Sequence, residues 1–166
     1  MIFAVCVCST SFSFANSDEQ YKIETAFIYQ FTNYITWPTD STRTSFVISV
    51  VGASPITGEL EDLAKTKSVK GQKLEIHQIT ESPQLKKSDI VVLTSSNEKI
   101  LEEVLKKTRG TNTLIISFSK GFASKGAMIN FYLEEGRLRF EINRPALENE
   151  GLQASSQLLK LAKVIE

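Results

Sequence analysis

The chain has 166 residues, with 19 lysines and arginines against 19 aspartates and glutamates, two cysteines and one histidine. Balanced, intermingled charge without a basic block argues against nucleic acid and against an anionic membrane surface as partners. A single histidine excludes metal sites built on paired histidines, and the length is that of one ordinary domain able to bury its own core.

Residues 1–15 carry no charge. An apolar run from Ile2 to Cys8 gives way to small residues and reaches Ser13-Phe14-Ala15, the pattern of a secretory signal peptide cleaved after Ala15 to leave Asn16 first. A membrane span needs about 20 apolar residues, and this run is shorter and broken by Ser9, Thr10 and Ser11. The positive n-region is missing, so either the start codon is assigned late or the signal is weak. The residues before Cys6 and Cys8 fit a lipoprotein site poorly. Both cysteines fall in the removed segment, so the mature domain, residues 16–166, has no disulfide or thiolate and stands on its core.

From Tyr21 to Pro38, Ile23, Phe27, Phe31, Tyr34 and Ile35 recur at three- and four-residue steps, predicting a helix with one apolar face that stops at Trp37-Pro38. A polar loop leads to the β-branched strand 46–51, closed by Gly52. Ser54 and Pro55 open a helix to about Lys67, and Leu74 to Ile79 alternates as a strand. Ser88-Asp89 precedes the apolar strand 90–93. A helix then carries the seam Ile100, Leu101, Val104, Leu105 and ends near Gly110, and 114–118 is the next strand. Strands 127–133 and 137–142 flank Glu134-Glu135-Gly136 as an antiparallel hairpin. Asn143-Arg144-Pro145 opens a brief helical turn, and Ser155 caps a final helix through Leu158, Leu159, Leu161 and Ala162. The expected fold is one α/β domain: a mostly parallel sheet flanked by helices on both faces, with a C-terminal antiparallel hairpin and a closing helix.

Chemistry is sparse. His77 reads as a half-exposed strand histidine with no nucleophile motif beside it. The segment Gly121 to Gly126 lacks the Gly-Lys-Ser/Thr ending and precedes a strand rather than a helix, so it is a turn and not a phosphate loop. Gly52-Ala53-Ser54-Pro55 lies between strand and helix but lacks the spaced glycines of a dinucleotide site. The pairs Glu102-Glu103 and Glu134-Glu135 are adjacent and do not flank a substrate. No catalytic, cofactor or metal site is expected. The strand 138–143 puts Leu138, Phe140 and Ile142 on one face and Arg139, Glu141 and Asn143 on the other.

These pieces in this order resemble the YfiR-like family of exported bacterial proteins. The resemblance is carried by Ile35-Thr36-Trp37-Pro38, Val47 to Gly52, Ser88-Asp89-Ile90-Val91-Val92-Leu93, Gly121-Phe122 with Gly126 to Ile129, Phe140 to Asn143, and Gly151-Leu152 through Ala162. It implies a periplasmic, non-enzymatic repressor of a membrane-bound diguanylate cyclase, or of another membrane sensor protein, acting in cyclic-di-GMP and biofilm control. It leaves a homodimer open. Glu141, Asn143, Arg144 and Leu147 are expected to form the partner surface, where the polar strand face runs into a turn with one apolar residue; Tyr29, Tyr34 and Trp37 are the second choice. Disulfide-bearing members have cysteines where this chain has Ser49 and Ser88, which implies that redox control is lost here. The different class left open is a periplasmic small-ligand binding module feeding a sensor kinase or transporter.

Overall fold

The computed structural model describes residues 17–38 and 43–166, so the expected signal segment and its cleavage site lie outside the described residues. Helix α1, Ser17–Tyr34, starts with Asp18 and Glu19 against its positive end. Its buried side keeps Phe27, Phe31 and Ile35 of the expected stripe but not Ile23 or Tyr34. Ile28, Phe31 and Ile35 are fully buried together with Glu24, Thr25 and Thr32, whereas Ile23 is 44% and Tyr34 36% exposed. The face is set by what the helix packs against: Phe27 and Phe31 meet Phe131 and Phe140 at ring-centroid distances of 5.2–6.0 Å. The helix ends before Trp37-Pro38, because β1 (Ile35–Thr36) pairs antiparallel with β9 (Gln153–Ala154) and Ser155 N donates to Tyr34 O at 2.8 Å.

An eight-stranded, mostly parallel sheet holds the remaining strands: β2 (Ser45–Val51), β3 (Ser68–Val69), β4 (Gln72–Ile79), β5 (Ile90–Leu93), β6 (Leu114–Ser117), β7 (Ile129–Glu134), β8 (Arg137–Asn143) and β10 (Lys163–Ile165). Their order is β10-β8-β7-β6-β5-β2-β4-β3, antiparallel only at β7/β8 and β3/β4. The predicted hairpin is there, with Glu135 and Gly136 both at positive φ in its turn. The closing helix is shorter than its apolar pattern suggests: α5 spans Ser156–Leu161, capped by Ser155, and Leu161 is 70% exposed. After it the chain pairs Lys163–Ile165 alongside β8, where it covers the hairpin's outer edge.

Helices α2 (Ile56–Ala64), α3 (Glu98–Thr108) and α4 (Arg144–Asn149) complete the fold. Two apolar clusters hold it. One gathers Ile48, Val50, Ile90, Val92, Leu114 and Ile116 with side chains of α1, α2, α4 and α5. The other gathers Val51, Val91, Leu93 and Ile115 with Leu101 and Val104 of α3 and Phe122. Successive residues of one strand fall in different clusters, as the two-residue strand period requires. At the end of β2, Gly52 has φ +105°, and a Cβ there would sit 2.5 Å from Thr94 Oγ1. Close packing of two strand ends, not anion binding, accounts for this glycine.

Candidate functional site

Of the four residues expected to share one surface, Asn143, Arg144 and Leu147 gather at α4, while Glu141 lines a different cleft. Glu141 is half-buried on β8, where it accepts from Asn130 Nδ2 at 3.2 Å and faces Lys163 Nζ at 3.7 Å. Asn130 in turn accepts from Ser117 Oγ at 2.8 Å, so a buried polar chain runs across β6, β7 and β8 to the Glu141 carboxylate. Asn143 is structural. Its side chain caps α4 by accepting from Ala146 N at 2.9 Å and donates to Ala123 O at 2.6 Å. Arg144 is exposed and donates from Nε to Glu148 Oε1 at 2.7 Å, one helical turn on. Leu147 is 1% exposed, which corrects its expected place as a protruding apolar contact. The turn that carries it is a helix whose apolar side chain faces the core. Arg144 and Leu147 line a groove of about 500 Å³ between β8, α4, β9 and α5, with Leu147 contributing to its floor.

The second set is also dispersed. Tyr29 donates from Oη to Ser68 O at 3.0 Å, and Tyr34 lies at the exposed end of α1. Trp37 is half-buried, packed edge-on to Phe46 at 5.3 Å, and donates from Nε1 to Asp89 O at 3.3 Å.

Asp89 is a tie point that the strand pattern did not reveal. Its carboxylate is 4% exposed and is held bidentately by Arg43, with Nη2 to Oδ2 at 2.6 Å; Oδ2 also accepts from Val47 N at 2.7 Å. Its carbonyl accepts from Leu114 N at 2.9 Å. One residue thus joins the loop before β2 to β2 and β6. Beside it, Ser49 and Ser88 meet in the core with their Oγ atoms 2.7 Å apart, although 39 positions separate them.

A cleft of about 540 Å³ opens where β6 stops pairing after Ser117↔Asn130 while β7 runs on to Glu134. Its sides come from the start of α1 (Gln20, Glu24), the segment after β6 (Phe118, Lys120), the outer part of β7 and β8, and Lys163. Phe118 stacks on Phe131 at 5.2 Å and 14°. Glu24 is 3% exposed, so its carboxylate belongs to the floor; burial pushes it above the ordinary carboxylate pKa, partly opposed by a 2.7 Å hydrogen bond from Gln20 Nε2. The sequence held a signal for Glu24: it lies three and seven residues before Phe27 and Phe31, on their face of the helix. Asn130 was signalled too, as the polar residue between Ile129 and Phe131 in an apolar strand.

His77 is exposed on β4, and no group of three His, Cys, Asp or Glu among the described residues is placed to hold a metal ion. Residues 121–126 form a turn with a short 3₁₀ segment at Ala123–Lys125, ahead of β7 as expected. Among the described residues no helix is long and apolar enough to cross a membrane. A comparison with curated proteins gave no match. A family model, YfiR/HmsC-like, matches residues 21–163, from the first turns of α1 to the start of β10, and the chain belongs to that family.

Proposed function

We propose that the chain is an exported, non-catalytic regulator, a single mature domain that binds the periplasmic part of an inner-membrane diguanylate cyclase and holds it inactive. The observation that supports this most is the family match over residues 21–163. The regulator binds the inactive conformation of its target better than the active one and biases the equilibrium by that difference in affinity. The proposed contact surface is Arg144 on the α4 groove together with Glu141, which lies earlier on β8 and outside that groove. Leu147 shapes the floor and Asn143 fixes the start of α4.

The test is co-expression with the cognate cyclase. Glu141→Ala with Arg144→Ala, confirmed as folded by circular dichroism, is expected to lose its lowering of cyclic-di-GMP. Leu147→Ala is unsuitable for this purpose, because emptying a fully buried leucine site costs about 2–5 kcal/mol and confounds binding with folding. Repression equal to wild type in the double variant would move the surface to Tyr29, Tyr34 and Trp37. Turnover of a substrate by the purified protein would discard the regulator reading. Export is checked by the N-terminal mass of the native protein, expected to begin at or near Asn16.

A further inference from the structure

The Glu24 cleft stands apart from the α4 groove, and its reading does not depend on a cyclase partner. Its chemistry is uneven. An ionised carboxylate accepts up to about four hydrogen bonds, yet Gln20 is the one side-chain donor to Glu24 among the described residues and no lysine or arginine pairs with it. Two other polar side chains of the lining are engaged with each other and with neighbours: Asn130 bonds Ser117 and Glu141, and Glu141 also faces Lys163. Of the buried polar side chains in the lining, Glu24 and Asn130, it is the Glu24 carboxylate that keeps unmet acceptor capacity, reached from a space walled by Phe118, Phe131, Leu133 and Leu138. Lys120 and Lys163 stand on the exposed parts of the lining, where they attract no further cation.

We propose that this cleft binds a small ligand with a single primary ammonium group on an apolar or aromatic body, the ammonium seated on Glu24 and the body on the Phe118–Phe131 stack. A donor carrying positive charge is what a desolvated carboxylate lacks, and charge-assisted hydrogen bonds of that kind are the strong ones. The volume falls within the ordinary range for small-ligand pockets, in which apolar walls and a few polar groups divide affinity and orientation. The two lysines disfavour polyamines, whose second charge would meet them, and the buried carboxylate disfavours anions. Burial, which raises the carboxyl's pKa when the cleft is empty, is offset once an ammonium neutralises it.

The test uses the purified full chain and 2-phenylethylamine, with 2-phenylethanol, phenylacetate and putrescine as comparisons, followed by calorimetry and by amide chemical shifts. The amine is expected to bind at least about tenfold tighter than any of the three comparison compounds, with shifts at Gln20, Phe118 and Tyr132. Glu24→Gln is expected to erase that preference while the melting temperature holds or rises, and Glu24→Asp to keep part of it. Equal binding of 2-phenylethanol or phenylacetate, tighter binding of putrescine, no shifts at these positions, or an unchanged preference in Glu24→Gln would each overturn the proposal. Cyclase repression is read separately through Arg144, which lies outside this cleft; Glu141 lines the cleft and is left unchanged in these variants.

Discussion

Replacing Asp89 by alanine removes the carboxylate that ties the loop before β2 to the sheet. Two charge-assisted interactions disappear, the bidentate grip of Arg43 and the bond from Val47 N at 2.7 Å, while the carbonyl bonds to Trp37 and Leu114 remain available to any residue. Hydrogen bonds to charged groups contribute about 1.5–3 kcal/mol each, and breaking a buried pair by removing one partner costs about 3–5 kcal/mol. Arg43 is 25% exposed and regains some water when its partner is gone, which places the expected loss at the lower end, about 3 kcal/mol. Asp89→Asn keeps an acceptor for Val47 N but not the charge, so roughly half that loss is expected. Urea unfolding of both variants gives the magnitudes, and a cycle with Arg43→Ala isolates the pair, with a coupling of about 1–3 kcal/mol expected. A loss below about 1 kcal/mol for Asp89→Ala, or a coupling near zero, would refute the view of Asp89 as a tie point.

Trp37→Ala is expected to cost about 2 kcal/mol in urea unfolding, under the range for fully buried aromatics because the indole is half-buried beside Phe46. The mature wild-type domain is expected to melt at the same temperature with and without dithiothreitol. Ser49→Cys with Ser88→Cys is expected to form a bridge under oxidation, since the paired Oγ atoms are 2.7 Å apart; closing a loop of about 40 residues stabilises by at most about 4 kcal/mol, read as a reductant-sensitive rise in melting temperature. Glu24 has a folded-state pKa raised above its ordinary 4.5, so its burial cost is absent below the unfolded value and grows as pH rises through the folded one. Glu24→Gln is therefore expected to be more stable than wild type at neutral pH, with the gap closing near pH 4; Glu141, Lys120 and Lys163 line the same cleft and are left unchanged in both proteins, so urea midpoints at the two pH values isolate the Glu24 contribution.

The elements that local rules describe were legible. The β-branched runs of β2, β5 and β6 and the Gly-containing turn between β7 and β8 reflect conformational preferences that act over a few residues. The rotation of α1 was not, because Phe27 and Phe31 are shared by two overlapping helical faces. Ile35 is buried as the stripe predicts, but choosing Ile28 over Ile23 and Tyr34 depends on where Phe131 and Phe140 stand, far along the chain. Strand β10 was hidden for the same reason. Three residues after a short helix carry too little periodicity to predict a strand, and only the open edge of β8 supplies the pairing. The pairing of Ser49 with Ser88 entered through family resemblance; the parallel register sets Ser49 opposite Val91, and Ser88 reaches its hydroxyl from the segment just before β5, a tertiary contact that no strand pattern shows.

The same distinction explains what the strand pattern says about a site. Alternation along β8 correctly sorts Glu141 from Phe140 and Ile142, since a two-residue period is a property of any extended chain. It carries no information beyond the last residue of the strand. At Asn143 the backbone turns into α4, and the rule that governs Leu147 becomes the helical one, which points it inward. The cleft at Glu24 is less local still. It exists because β6 ends after four residues while β7 continues, and because α1 brings a carboxylate to the gap that this mismatch leaves. A difference in strand lengths is invisible to any single strand's pattern. What a sequence does show is the cost that such a gap must justify: an acid on the apolar face of a helix and an asparagine inside an apolar strand, each energetically unfavourable unless something polar meets it there. For Asn130 that partner is Glu141 and Ser117. For Glu24 the described residues provide one glutamine side chain, and its carboxylate lines the cleft.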